Sequence, residues 1–408
     1  MIICMNQEGW PMRSNWIRLA AAAAVATLAA SGCGGSGEGG TSSGSGGPMK
    51  IEVFQALSGP VAPVGQAMSV GNKAAAAVVN ANGGVLGKDI EVDITDDAGS
   101  PDQLAAKIQE LLSAGKPHAV LPGSAAEIPA GIPILSNAGV FVSQHFTANT
   151  FNDPKKYPLV FGNAHTIPDY TESLVQKLKE KGHTSVGVVD SDDSSGQAFE
   201  EVAKPAFKEA GIEATFVGVP PSAVDATAQL QQALAGNPDA LIFAGYFPGA
   251  TAVVSARTKL GVDIPTYSAQ TFSANNLADI ADPSAFEGIE FQQLAANVKG
   301  TPQTESKAFK TFYDAVLKEA GGKLPFPINT YLVAYDDVML AAYAADLAGG
   351  FDPEKMAEAV ESAEPEDMPN YVMPVGFSSE NHFPDVTPKD FVFVPYSPVK
   401  DGMVVPPG

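Results

Sequence analysis

Along most of the chain, short apolar runs alternate with longer stretches in which apolar residues recur every three or four positions. Residues 51–55 (IEVFQ) read as a first buried strand, and the alanine-rich residues 65–79 as a helix stopped by Asn82-Gly83-Gly84. Residues 89–96 alternate apolar and acidic side chains, the two-residue period of a strand. Ser100-Pro101-Asp102-Gln103 predicts a helix start: the serine caps, the proline fits the first helical position, and Gln103 reaches back to complete a capping box. Leu104, Ile108, Leu111 and Leu112 then fall on one helical face. The alternation continues with strands at 119–121, 140–143, 185–190, 213–217, 240–243 and 265–267. Helices are expected at 170–181, 197–210, 227–235, 250–260, 304–320 and 330–347, and the proline-rich tail after Asn370 reads as short paired strands.

Strands alternating with helices predict an α/β fold with mostly parallel sheets covered on both faces. Two such runs, on either side of about residue 168, predict two doubly wound lobes joined by a hinge. Residues 49–168 and part of the segment after residue 300 are assigned to one lobe, and residues 169–300 with the C-terminal segment to the other. A chain of 408 residues also exceeds what one core usually serves. In open parallel sheets ligands bind beyond the carboxyl ends of the strands, so two facing lobes predict a cleft there.

The first 32 residues read as an address. Met12-Arg13 and Arg18 precede an apolar run over residues 19–30. That run is shorter than the about 20 residues a membrane-spanning helix needs, and it has the layout of a signal peptide. Translation can start at Met1 or Met12. The run ends in Ala30-Ser31-Gly32-Cys33, which resembles a bacterial lipobox with Ala30 in place of the usual leucine. The resemblance implies lipidation at Cys33, with residues 33–48, mostly Gly, Ser and Thr, as a flexible tether. The expected location is extracytoplasmic, held to the cell membrane by that lipid alone. The GxGxxG spacing that begins at Gly32 follows no strand and opens no helix, so it is not a dinucleotide loop.

Composition narrows the function. Acidic residues outnumber basic ones 46 to 24, for a net charge of −22, which repels phosphate backbones and excludes nucleic acid as a partner. The two cysteines, Cys4 and Cys33, precede the body, so no disulfide framework is expected. The five histidines (118, 145, 165, 183 and 382) show no metal-ligand spacing, and neither a metal nor another cofactor is expected. No GxSxG elbow or phosphate-binding loop occurs, and the adjacent pairs Asp96-Asp97 and Asp192-Asp193 point to opposite faces of extended backbone, so an enzyme is not expected. The stretch from Asp190 to Gly196 faintly echoes a calcium loop. Its glycine is seventh rather than sixth and a strand precedes it, so it reads as a capped strand-to-helix turn.

Several motifs in order carry a resemblance: Ser58-Gly59-Pro60 after the opening strand, Asn80-Ala81-Asn82-Gly83-Gly84, Asp96-Asp97-Ala98, Phe243-Ala244-Gly245-Tyr246 and Ala334-Tyr335-Asp336. Over roughly residues 49–390 the chain resembles the leucine/isoleucine/valine-binding proteins, the receptors of branched-chain amino acid transporters. The resemblance implies a monomer that closes on a small solute and hands it to the permease subunits of an ATP-driven importer. A sensory receptor for a signalling partner would have the same body.

It also implies site residues. In the first lobe Ser124 and the run from Ser143 through Gln144, His145 and Phe146 to Thr147 match the groups that hold a ligand carboxylate through hydroxyls and backbone amides; a cap or turn is the competing role for Ser124 and Thr147. Val64 stands where an aromatic is common. In the second lobe Ser195 and Tyr246 match contact positions, and Gln270 stands where the family has the carboxylate that pairs with the ligand ammonium. The family's acidic position near the crossover matches Ile167 or Asp169. Gln270 implies weakened binding of plain α-amino acids unless Asp192, Asp193 or Glu127 compensates, and an amide, aromatic or short-chain acid is the alternative solute. His145 and Phe146 replace small residues and suggest imidazole donors and aromatic walls. The competing expectation for His145 is a ring turned into the lobe and satisfied by a backbone carbonyl.

Overall fold

The computed structural model describes residues 47–123, 127–145, 149–245, 249–274 and 277–407. The expected signal peptide, Cys33 and most of the tether lie outside them. Strand β1 (Met49–Gln55), helix α1 (Ala62–Ala81), β2 (Ile90–Asp96), α2 (Pro101–Ala114), β3 (Ala119–Pro122), α3 (Ile128–Ala138), β4 (Phe141–Gln144) and β5 (Val160–Gly162) come first. Their strands form one parallel sheet in the order β2-β1-β3-β4-β5. Next come α4 (Ile167–Lys181), β6 (Ser185–Ser191), α5 (Ser194–Glu209), β7 (Glu213–Val219), α6 (Thr227–Ala233), β8 (Ala240–Phe243), α7 (Gly249–Leu260), β9 (Thr266–Ser268), α8 (Gln270–Ser273), α9 (Leu277–Ile280) and β10 (Ile289–Leu294). The chain then goes back to the first sheet through α10 (Pro302–Glu305), α11 (Lys307–Glu319), α12 (Ile328–Ala348) and α13 (Pro353–Glu361). It ends in the second sheet with β11 (Phe391–Pro395), antiparallel on β10, giving the order β11-β10-β9-β8-β6-β7. A short hairpin, β12 (Val399–Lys400) and β13 (Met403–Val404), follows.

The fold is therefore two doubly wound α/β lobes, as the alternation predicted. The central strands are buried on both faces: every residue of β3 and of β8 is covered, which is why they read as continuous apolar runs. Helix α12 is buried on nearly all sides, 16 of its 21 residues being covered. It crosses α1 so closely that a Cβ on Gly71 would stand 2.3 Å from the Tyr331 carbonyl oxygen, and Asn72 Nδ2 donates to the Ala334 carbonyl at 2.8 Å. Among the described residues no helix is long and apolar enough to cross a membrane.

Local departures have local causes. Ser100 caps α2 by accepting from the Gln103 N–H, but only this arm of the expected capping box forms; the reciprocal box forms at α4 instead, between Thr166 and Asp169. The helix expected over 304–320 breaks at Ser306, whose hydroxyl accepts from the Phe309 N–H and starts α11 afresh. Helix α3 has no counterpart among the expected helices, and it carries Pro129, Gly131 and Pro133. Pro129 sits in its first turn, and the bare Cα of Gly131 admits Leu104 and Ile108, where a Cβ would meet their side chains at 3.0–3.1 Å.

Glycine positions give a test of this backbone. A Cβ on Gly196, in the first turn of α5, would stand 1.7 Å from the Ser191 carbonyl oxygen, whereas one on Gly211 meets nothing within 4 Å although φ is +73°. In denaturant unfolding, Gly196→Ala should cost more than about 3 kcal/mol and Gly211→Ala only about 1–2 kcal/mol. Equal costs would contradict the packing described.

Candidate functional site

Several buried polar groups gather at the carboxyl ends of both sheets. After β1, the Ser58-Gly59-Pro60 turn is shaped by Asp96. One Asp96 oxygen accepts from the backbone N–H of Leu57 (2.9 Å), Ser58 (3.2 Å) and Ala98 (2.8 Å). The Ser58 hydroxyl and these amides hold its carboxyl below its ordinary value. Val64 lies in the first turn of α1, 41% exposed beside Val61. Asp97 is fully buried; its Oδ1 accepts from Gly99 N–H at 2.9 Å. Its Oδ2 is sealed against Gly123, where a Cβ would come within 2.8 Å, and has no partner among the described residues. Burial, with Glu127 and Asp96 nearby, pushes its carboxyl up to about 6.

The ends of β4 and β5 converge on one carboxylate of α12. Asp337 Oδ1 accepts from the Ser143 hydroxyl (3.1 Å) and from Asn163 Nδ2 (2.6 Å), and its Oδ2 from His145 Nδ1 (2.8 Å). Asn163 Nδ2 also donates to the Val333 carbonyl at 2.7 Å. Burial raises the Asp337 carboxyl, opposed by His145 and Ser143. The His145 ring is therefore turned into the lobe, with 9% of its side chain exposed, and its partner is a carboxylate rather than the backbone carbonyl expected for an inward ring.

His165 follows β5 and is almost wholly buried, with Tyr170 and Phe391 edge-on to its ring at 6.3 and 5.8 Å. Burial depresses its pKa to about 4, and the side chain of Gln270 opposes the shift. Gln270 opens α8 directly beyond β9 and is half-buried. Of the two residues matched to the family's acidic position near the crossover, Asp169 closes the α4 cap by accepting from Thr166 N–H at 2.6 Å, and Ile167 is the first residue of that helix.

In the second lobe Asp193 caps α5, accepting from the N–H of Ser195 (2.9 Å) and Gly196 (3.1 Å); the stretch from Asp190 to Gly196 is thus a strand-to-helix turn. Ser195 is half-buried in that first turn. The loops after β8 and β9 are tied by Gly245 N–H to Thr271 Oγ1 at 3.3 Å, and Gly245 packs on Ser191. Asp192 is exposed and leans on Gly218 of the edge strand β7. Asp190 is buried beneath α5, where burial and Glu200 raise its carboxyl to about 7.

Ser124, Phe146, Thr147 and Tyr246 lie outside the described residues. Of the matched positions that are described, His145, Ser195 and Gln270 all stand at strand ends, and Val64 on the adjoining helix turn. Sequence reasoning missed Asp337, Asn163 and His165. The available signal was Asp336-Asp337 inside an otherwise apolar helix, since two buried acids there require donors from elsewhere. A separate groove of about 270 Å³, lined by residues that include Lys299, Phe309, Tyr313 and Lys400, lies on elements outside both sheets and holds none of these groups.

Two predictions follow from the buried acids. Asp97 has a folded-state pKa above its ordinary 3.8, so folding favours its protonated form. Its contribution is intact below about 4 and is lost as pH rises through about 6. Asp97→Asn should flatten the stability–pH curve over that window and gain roughly 2 kcal/mol at pH 8 in denaturant unfolding; an unchanged slope would refute the assignment. Asp337→Ala leaves Ser143, Asn163 and His145 without their acceptor and should cost about 3–5 kcal/mol, with a cost below 1 kcal/mol counting against the network.

Comparison with known proteins agrees with this geometry. The chain is 24% identical over 321 residues to a leucine-, isoleucine-, valine-, threonine- and alanine-binding protein of Pseudomonas aeruginosa, covering 76% of this chain and 82% of that one. It is 21% identical over 275 residues to a Leu/Ile/Val-binding protein of Escherichia coli, covering 64% and 75%. Among solved structures, a branched-chain amino acid transporter substrate-binding protein from Streptococcus pneumoniae in complex with isoleucine superposes with a TM-score of 0.63 at 21% identity, over 88% of this chain and all of that one. A solute-binding protein from Rhodopseudomonas palustris in complex with 4-hydroxybenzoate gives 0.63 at 20% identity, over 88% and 95%. These likenesses establish the fold, and the sequence pattern of the periplasmic binding proteins matches residues 48–388: the chain belongs to the periplasmic binding protein family.

Proposed function

We propose that this protein is the extracytoplasmic receptor of an ATP-driven importer. It is tethered through a lipid on Cys33, captures a small polar solute between its lobes and delivers it to the permease. The observation that carries the reading is the pair of parallel sheets linked by repeated chain crossings, with hydroxyl, amide and imidazole groups gathered at their strand ends. Ligand bound to both lobes stabilises the closed arrangement, and the permease recognises that shape. In this reading Ser124, Thr147 and neighbouring backbone amides hold the anionic end of the solute. Phe146 and Tyr246 supply aromatic walls, Ser195 and Gln270 close from the second lobe, and Val64 lies at the rim. His145 contributes through its Asp337-anchored ring. Residues 49–168 with part of the segment after 300 act as one rigid body, and residues 169–300 with the C-terminal segment as the other.

Binding and anchoring are tested separately. A solute at about 100 times its dissociation constant should stabilise the purified protein by roughly 2.7 kcal/mol and shrink its radius of gyration in X-ray scattering. Stabilisation without compaction would argue against hinge closure. Cys33→Ala should release the protein from the membrane fraction of its host with solute affinity unchanged; retention in that fraction would contradict the lipid tether.

A further inference from the structure

We propose that Asp337 locks the tautomer of His145 and thereby makes solute capture proton-linked, the ring presenting Nε2 as an acceptor when neutral and as a donor when protonated. This deepens the receptor reading and rests on it.

His145 is the first residue beyond β4, and its Nδ1 lies 2.8 Å from Asp337 Oδ2. Asp337 is 2% exposed, and its other oxygen accepts from Asn163 Nδ2 at 2.6 Å and from the Ser143 hydroxyl at 3.1 Å. Amide and hydroxyl donors favour the ionised form of a carboxylate. An ionised carboxylate only accepts, so the proton in the contact belongs to His145 Nδ1. A neutral imidazole carries one N–H, and with that proton on Nδ1 its Nε2 keeps a bare lone pair. Nε2 has no partner among the described residues and is the ring atom left for a solute.

Protonating the ring turns that acceptor into a donor without moving a heavy atom. Bare Nε2 accepts from a hydroxyl or an ammonium, whereas Nε2–H donates to a carboxylate. A carboxylate held there takes up a proton as it binds. Its affinity is full while the ring is protonated and is lost as pH rises through the ring's titration. Asp337 acts as a positioning residue, fixing which nitrogen meets the solute. Its neighbour Asp336 accepts from the N–H groups of Val372 and Met373 at 3.0 and 2.9 Å, and Tyr371 stands beside both acids. Of the other helices packed on β4, α13 carries Glu361, 3.0 Å from His382 Nε2, with Glu354, Lys355 and Glu358 exposed, and α3 starts at Glu127, near Asp97. The flanking strands β3 and β5 bring no charged side chain. Of these acids, Asp337 is the one in hydrogen-bond contact with the His145 ring.

Nitrogen NMR of the purified, histidine-labelled chain reads the tautomer without any solute, the His145 signal being assigned by its loss in His145→Gln. At about pH 8 the neutral ring should carry its proton on Nδ1 and leave Nε2 bare. Asp337→Asn, whose amide can donate to Nδ1, should move the proton to Nε2. The solute arm uses leucine, 4-methyl-2-oxopentanoate and 4-hydroxybenzoate, all carboxylates, by calorimetry at about pH 5.5 and about pH 8 in buffers of different ionisation enthalpy. A probe that binds should do so about tenfold or more weakly at the higher pH, the scale of one hydrogen bond to a charged group, and should draw protons from the buffer. His145→Gln should abolish the pH slope and the proton uptake, which a merely structural role would not govern. A neutral ring protonated on Nε2, binding independent of pH, or a slope that survives His145→Gln would overturn the inference and leave the receptor reading standing. Binding of no probe at either pH would overturn both.

Discussion

Asp337 joins parts of the chain that are far apart in sequence. Its carboxylate, fully buried on α12, gathers the hydroxyl that ends β4, the amide that leaves β5 and the ring of His145, the first two 194 and 174 residues upstream. A carboxylate removed from water must be met by donors or protonated. Those donors come from the ends of two strands of the first sheet and the loops that follow them. The helix that carries Asp337 is reached only after the chain has built the other lobe and come back. The polar network at this end of the first sheet is therefore complete only when the chain has come back to it.

The same constraint acts at the other strand ends. Parallel sheets leave N–H groups of following loops and helix starts without partners, and here aspartates supply the acceptors: Asp96 for the turn after β1, Asp169 for α4, Asp193 for α5. In a protein with a net charge of −22, several strand-end acids are thus engaged by backbone donors.

The fold was largely legible because β8 and its neighbours are buried on both faces and helices such as α2 bury one stripe, so each writes its period into the sequence. Helix α3 was hidden because its prolines and Gly131 look like breakers until Leu104 and Ile108 are seen packing on that glycine. The candidate site was legible only as positions. Gln270 could be marked as a departure from the family pattern, but its pairing with His165, about a hundred residues earlier, follows from no local motif. His145 could be placed at a strand end, yet its acceptor is set by tertiary packing of α12. Long-range polar pairs of this kind have no sequence period, whereas turn and cap chemistry does.

The most direct check is the solute the protein carries from its own host. Protein isolated without denaturation and extracted for mass spectrometry should yield a small polar solute in near-stoichiometric amount. Recovery of no small molecule from the folded protein would contradict the account of a receptor that closes on a solute.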